Sequence, residues 1–123
     1  MSVLVLDSSV WIEYFADRPK AGLVEPLVAD FARLIVPAVV LYEVYKRIKV
    51  MIGAEAAETA IGRMMLSPGI ALDSDLALQA ADLSIVSRLA MADSMILAAA
   101  RSCGAEFVTL DADFRGVPGV RVL

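Results

Sequence analysis

Four acidic residues stand in otherwise apolar segments of the chain. Asp7 directly follows the apolar run Val3–Leu6, and Asp111 follows a second apolar run in FVTLDADF. Glu43 lies in VPAVVLYEVY and Asp93 in RLAMADSMILAAA, two mostly apolar segments with helical character. Carboxylates on surfaces that otherwise look buried are candidates for a shared site, because an isolated buried charge is costly.

The residue types available restrict the chemistry of such a site. Two carboxylates about 5 Å apart at an effective dielectric near 20 repel each other by roughly 3 kcal/mol, so a cluster of four must take up protons or share a cation. The chain has no histidine and one cysteine, which excludes imidazole catalysis and a typical zinc site. Oxygen ligands alone favour Mg²⁺ or Mn²⁺. Such a site suits phosphodiester hydrolysis by a metal-activated water.

Each acid also has an ordinary structural explanation when it is considered alone. Asp7 could cap the helix that follows it, and Asp111 could belong to a turn after a strand. Glu43 could form a surface ion pair with a basic residue one turn later, and Asp93 could simply favour the first turn of a helix. Taken together these explanations weaken, because four independent coincidences would be needed to place acids beside one cleft.

The bulk composition is that of one globular domain over residues 1–123. Hydrophobic residues make up 59% of the chain, against a typical ~45–50%. The longest uncharged stretches are half the length of a membrane span, and the first residues lack the basic region of a signal peptide. The lone Cys103 fits a reducing compartment, so we expect a cytoplasmic protein. The net charge of −4 argues against a protein that binds nucleic acid through bulk positive charge.

Short apolar runs alternate with helical patterns along the whole chain. The predicted strands are Val3–Leu6, 34–36, 70–72, 107–110 and 120–122. The predicted helices are about 10–15 with Ser9 as N-cap, 22–33, 38–52, 54–65, 74–86 and 89–102. This alternation predicts an α/β domain around a mostly parallel sheet. Because ligand sites in such sheets form outside the carboxyl ends of the strands, Asp7 and Asp111 are expected to meet there.

Four segments, in this order, resemble the PIN-domain ribonucleases, and more closely the compact VapC-type toxins of toxin–antitoxin pairs. They are VLDSSVWIEYF, YEVYK, MADSMILAAA and FVTLDADF. The resemblance covers essentially the whole chain. It implies a Mg²⁺- or Mn²⁺-dependent endoribonuclease on a five-stranded, mostly parallel sheet in the order 3-2-1-4-5, flanked by helices. The family's catalytic and metal-binding acids carry over to Asp7, Glu43, Asp93 and Asp111.

The same resemblance assigns supporting roles. The family's hydroxyl beside the first acid matches Ser9, with Ser8 the less favoured choice, and its hydroxyl before the last acid matches Thr109. Asp113 matches a frequent but less constant fifth acid. The basic residues that could contact RNA are Arg18, Lys20, Lys46, Arg47 and Lys49, although they could equally solvate an apolar surface.

The resemblance also implies partners, namely RNA, a cognate antitoxin and a second copy of the chain. A surplus of apolar residues favours a buried partner surface, with Met51, Ile52, Met64 and Met65 as exposed candidates. Alternative functions are a PIN nuclease in RNA processing outside a toxin–antitoxin pair and a non-catalytic acidic pocket for a basic partner. An aspartate-nucleophile phosphatase is disfavoured because Ser9 stands where a second acid is needed, and a Walker nucleotide site because no glycine-rich loop is present.

Overall fold

The computed structural model describes residues 2–123 as one α/β domain with parallel strands and flanking helices. The strands are β1 (Leu4–Leu6), β2 (Val36–Pro37), β3 (Gly69–Ile70), β4 (Glu106–Thr109) and β5 (Val120–Val122). The helices are α1 (Ser8–Phe15), α2 (Ala21–Ala29), α3 (Ala38–Met51), α4 (Ala54–Met64), α5 (Ser74–Ser87) and α6 (Met91–Ser102). Two 3₁₀ helices, Phe31–Arg33 and Ala112–Phe114, complete the chain.

Strand β1 is the centre of the core. All three of its residues are buried, as expected of a parallel strand covered on both faces. It pairs in parallel with β4, so that Leu6 lies opposite Val108, and β4 pairs in parallel with β5. The carboxyl ends of β1 and β4 therefore lie side by side, and the residues that follow the two strands are close together.

The predicted single five-stranded sheet in the order 3-2-1-4-5 is wrong as stated. The structure has a three-stranded sheet, β1-β4-β5, and a separate two-stranded sheet, β2-β3. A parallel bridge between Leu4 and Leu34 and a 2.9 Å hydrogen bond from Ile35 N–H to the Leu4 carbonyl are the contacts that link them. Successive N–H groups of a strand point to opposite sides, so Val36 N–H donates to Pro68 on the β3 side. Pro37 is the next residue whose N–H would face β1, and it has none to donate. Because α3 begins immediately afterwards, no longer ladder with β1 forms.

Local differences from the predicted elements have identifiable causes. Asp7, rather than Ser9, is the N-cap of α1, because its carboxylate accepts the Ser8 N–H. The predicted helix 22–33 ends at Ala29, and a 3₁₀ turn follows it. Of the predicted exposed residues on the middle helices, Met64 is fully buried, whereas Met51, Ile52 and Met65 are exposed.

Within residues 2–123 no single helix is long and apolar enough to cross a membrane. Helices α5 and α6 reach the length and apolar composition of a membrane span only when they are taken together. The chain bends by 114° at the break between them.

Candidate active site

The four acids singled out in the sequence line one pocket of about 300 Å³. They reach it from four places: Asp7 from the end of β1, Glu43 from α3, Asp93 from the first turn of α6 and Asp111 from beyond β4. The other polar side chains in its wall are Ser8, Ser9, Glu13, Arg18 and Arg47. The predicted convergence of the acids at the carboxyl ends of neighbouring strands is therefore what the fold produces.

Asp7 is held in place by the sheet and by the helix that it caps. Its backbone N–H donates to the Val108 carbonyl at 2.9 Å, which continues the pairing of β1 with β4. One side-chain oxygen, Oδ1, accepts the Ser8 N–H at 2.8 Å. The residue is only 3% exposed. The helix-capping explanation therefore holds, and it does not exclude a role in the pocket, because the two carboxylate oxygens have different partners.

Two hydroxyls fix the second oxygen of Asp7. Thr109 Oγ1 donates to Asp7 Oδ2 at 2.7 Å and Ser9 Oγ donates to it at 3.1 Å. Each hydroxyl also accepts a backbone N–H from beyond β4: Ser9 Oγ from Leu110 at 3.1 Å, and Thr109 Oγ1 from Asp111 at 2.9 Å. These N–H groups orient both hydroxyl protons towards Asp7. The Ser8 hydroxyl lies a further 3.5 Å from Oδ1. Because a carboxylate offers about four acceptor positions, these contacts fix the orientation of the Asp7 carboxylate.

Glu43 is half-buried and does not form the surface ion pair considered from its sequence neighbours. Its Oε1 is buried with no hydrogen-bond partner in the described part of the chain, and neither Lys46 nor Arg47 lies within 4.0 Å as an ion-pair partner there. Burial raises the pKa of the Glu43 carboxyl; a hydrogen bond from the nearby Ser8 hydroxyl opposes this, and the charge of Asp7 adds to it. An unpaired oxygen of this kind is suited to a cation.

Asp93 shows most clearly how the acids act on one another. The pKa of its carboxyl is raised from 3.8 to about 6, mainly by burial and then by the charges of Asp7, Asp111, Glu43 and Asp113, in that order of size. Burial also raises the pKa of Asp7, against its hydrogen bonds and with a smaller contribution from Asp111. Without a counter-cation, the pocket therefore disfavours full ionisation.

Asp111 and Asp113 differ in their placement. Asp111 lines the pocket and caps the 3₁₀ helix that follows it, since its Oδ1 accepts the Asp113 N–H at 2.9 Å. Asp113 is exposed and does not line the pocket. Of the four acids whose charges raise the pKa of Asp93, Asp113 has the smallest effect, so its role as a fifth acid stays a prediction.

The donor set suits a hard divalent cation, although the side chains are not arranged around one. In residues 2–123, no group of three or more His, Cys, Asp or Glu side chains is positioned to hold a metal ion as it stands. The carboxylate of Asp7 and the unpaired Oε1 of Glu43 both belong to the same pocket. Oxygen donors with no nitrogen or sulfur ligand select Mg²⁺ or Mn²⁺. The chemistry of the donor set therefore fits such an ion.

The basic residues predicted as RNA contacts separate into two groups. Arg18 and Arg47 line the acid pocket. Lys46 lies over the ring of Tyr42, and Lys49 lies over the ring of Tyr45 and donates to its hydroxyl at 3.1 Å. Lys20 does not line the pocket; its backbone N–H donates to Glu13.

Glu13 is a pocket residue that the sequence reasoning missed. Its spacing held a usable signal, because Ser9 and Glu13 are four residues apart and therefore share one face of α1. That face is the one that carries the Ser9 hydroxyl to Asp7. Because Asp7 caps α1 and lines the pocket, this face of the helix is turned towards the pocket.

Comparisons with known proteins identify the fold. A family model described as PIN domain matches residues 4–120. No curated protein sequence matches the chain significantly. Among solved structures, a toxin–antitoxin complex from Klebsiella pneumoniae superposes with a TM-score of 0.77 at 24% identity, covering 95% of this chain and 94% of the other.

Two further structures agree with that match. VapC20 from Mycobacterium tuberculosis, described as a toxin that cleaves the sarcin-ricin loop, gives a TM-score of 0.80 at 20% identity, with 94% of this chain and 95% of the other covered. The DNA-bound VapBC complex from Salmonella typhimurium gives 0.75 at 21% identity, with 100% and 98% covered. At these identities the likeness shows the fold.

Proposed function

The chain belongs to the PIN-domain family, and from that premise we propose that it is an endoribonuclease that hydrolyses RNA phosphodiester bonds with Mg²⁺ or Mn²⁺. The domain would span residues 1–123. The observation that carries the proposal is the single pocket to which four separate elements contribute Asp7, Glu43, Asp93 and Asp111. A structural role does not explain four acids in one pocket, where burial and the other acids' charges raise the pKa of Asp93 to about 6, since such a cluster opposes folding.

The chain's own residues divide the work as follows. Asp7, fixed by Ser9 and Thr109, offers a preoriented oxygen, and Glu43 offers an unpaired one. A divalent cation bound by the acids would activate a water and neutralise charge on the phosphate. With no histidine in the chain, a pocket carboxylate is the group that orients the attacking water or accepts its proton.

We further propose that the chain is the toxin of a toxin–antitoxin pair, located in the cytoplasm and dimeric in solution. The similar structures described as toxin–antitoxin complexes support an antitoxin partner. Exposed apolar residues, including Ile52, Met65 and Leu66, support a covered surface. Light scattering at micromolar concentration tests the dimer, and a small gene beside this one that encodes a DNA-binding protein would favour the toxin role over RNA processing.

The function is tested by incubating purified protein with RNA in Mg²⁺, in Mn²⁺ and in excess EDTA. We expect cleavage that requires the cation and is lost in Asp93→Asn. The matched control is Asp82→Asn, which removes the same charge from an exposed position on α5 and should leave cleavage unchanged. Cation-dependent binding of RNA without any cleavage would favour a non-catalytic module, and equal activity in EDTA would contradict the proposal.

A further inference from the structure

The turn between α1 and α2 carries an arginine into the wall of the acid pocket. Arg18 lines the pocket although it is exposed and lies beyond the end of α1. Among residues 2–123 its guanidinium has no carboxylate within 4.0 Å. It is therefore not used to neutralise the acids, and its donors are free for another anion.

Glu13 accepts two backbone N–H groups of this turn, one with its carbonyl and one with its side chain. The Glu13 carbonyl accepts the Arg18 N–H at 3.0 Å, and the Glu13 side-chain Oε2 accepts the Lys20 N–H at 2.9 Å. Between these two anchors, Pro19 restricts its own backbone and that of Arg18. Asp17 adopts a φ of 50°, a left-handed conformation that a non-glycine residue holds only when its surroundings fix it.

We infer that Glu13 is a positioning residue that fixes this turn so that Arg18 binds a phosphate of single-stranded RNA at the edge of the acid pocket. The inference rests on the proposed nuclease function and names the group that holds the substrate backbone. Arginine suits this role because its planar donors match phosphate oxygens in pairs. The carboxylates of the pocket repel the phosphates of RNA. A positively charged side chain at the edge of the pocket therefore has a large effect on substrate binding.

Simple electrostatics predicts the opposite effect for loss of Glu13. Removing a negative charge beside an RNA site should improve RNA binding, because one source of repulsion disappears. If Glu13 acts through the turn, its loss should instead weaken binding. The variant Glu13→Gln separates the two effects, since an amide oxygen can still accept the Lys20 N–H while the charge is gone.

The experiment measures kcat and KM for RNA cleavage with the intact protein, using a fluorescein-labelled single-stranded RNA of mixed sequence. We expect Arg18→Gln to raise KM by about fivefold to tenfold and to reduce the slope of log KM against log salt by about 0.7, as for the loss of one phosphate contact on a single strand. Glu13→Ala should raise KM by about threefold, with kcat unchanged, because the catalytic acids are untouched. Glu13→Gln should keep the wild-type KM or lower it.

Two controls complete the design. Arg88→Gln makes the same chemical change at an exposed residue after α5 that does not line the acid pocket, and should leave KM within twofold. In the double variant with Arg18→Gln, Glu13→Ala should not raise KM further, because Glu13 acts through Arg18.

The inference is overturned if Glu13→Ala and Glu13→Gln behave alike, or if Arg18→Gln has no larger effect than Arg88→Gln. It is also overturned if the effects of Glu13→Ala and Arg18→Gln add in the double variant. If the wild-type protein does not cleave RNA with any divalent cation, the proposed function fails first and this inference fails with it. Cleavage by the wild type with unaltered KM in the variants leaves the nuclease proposal standing and removes this inference alone.

Discussion

Replacing Asp93 by Asn should stabilise the cation-free protein at neutral pH. The folded protein raises the pKa of Asp93 from 3.8 to about 6, so its ionised form opposes folding. Such a shift corresponds to at most about 3 kcal/mol. Because the side chain is only half-buried, solvent screening reduces this to about 1 kcal/mol. The variant should then melt roughly 3–5 °C higher than the wild type.

The pH dependence gives the sign of the effect. For an acid whose pKa is higher in the folded state, the cost of ionisation is fully present above the folded pKa and absent below the unfolded pKa. The advantage of Asp93→Asn should therefore be complete above pH 6, decline between about pH 6 and 3.8, and vanish below that range. Comparing variant with wild type at each pH removes the contributions of groups that titrate alike in both proteins.

The assay is thermal unfolding followed by circular dichroism in EDTA, with Asp82→Asn as the exposed control on α5. Asp93 lies in the first turn of α6, where its charge also gains about 0.3–1 kcal/mol from the helix dipole. Loss of this gain reduces the net rise in melting temperature to about 0–3 °C. A melting temperature for Asp93→Asn several degrees below that of the wild type would refute the reasoning. It would mean that Asp93 serves the helix rather than a site. Adding Mn²⁺ should reverse the order, because the wild type gains more from binding.

The remaining predictions concern the hydroxyl network and the cation. Thr109→Val leaves Asp7 Oδ2 without its 2.7 Å donor and the Asp111 N–H without its acceptor; it should lower the free energy of unfolding by about 1–3 kcal/mol in urea titrations, with Thr109→Ser close to wild type. Glu43→Gln should weaken Mn²⁺ binding in calorimetry with an unchanged circular dichroism spectrum, and unaltered affinity would remove Glu43 from the ligand set. Mn²⁺ affinity of the wild type should fall as the pH drops through about 6, because the cation must displace a proton from Asp93; a pH-independent affinity would contradict this.

The strands and the convergence of the acids could be predicted because they depend on simple patterns. Buried parallel strands read as uninterrupted apolar runs, and the ends of β1 and β4 must lie together once the two strands pair. The division of the sheet could not be predicted in the same way. It depends on how soon the chain leaves β1 after the hydrogen bond from Ile35 N–H to Leu4. Pro37 has no N–H to continue that pairing, and α3 begins at the next residue.

Side-chain placement was predictable only where backbone geometry fixes it. Thr109 ends β4 and Ser9 is the second residue of the helix that Asp7 caps, so both reach Asp7. Arg18 and Lys20 are two residues apart in one turn, and the sequence did not distinguish them. The carboxylate of Glu13 fixes that turn, and side-chain-to-backbone bonds of this kind leave no periodic signature.

The central claim is that the four acids hold a divalent cation for hydrolysis of RNA by water. It is tested most directly by mass spectrometry of RNA cleaved by the wild-type protein in Mg²⁺, with an EDTA reaction alongside. Because the chain has no histidine to activate the 2′-hydroxyl of the substrate, we expect products with a 5′-phosphate and a 3′-hydroxyl, formed only with the cation. Products that end in a 2′,3′-cyclic phosphate, or the same products in excess EDTA, would contradict the account.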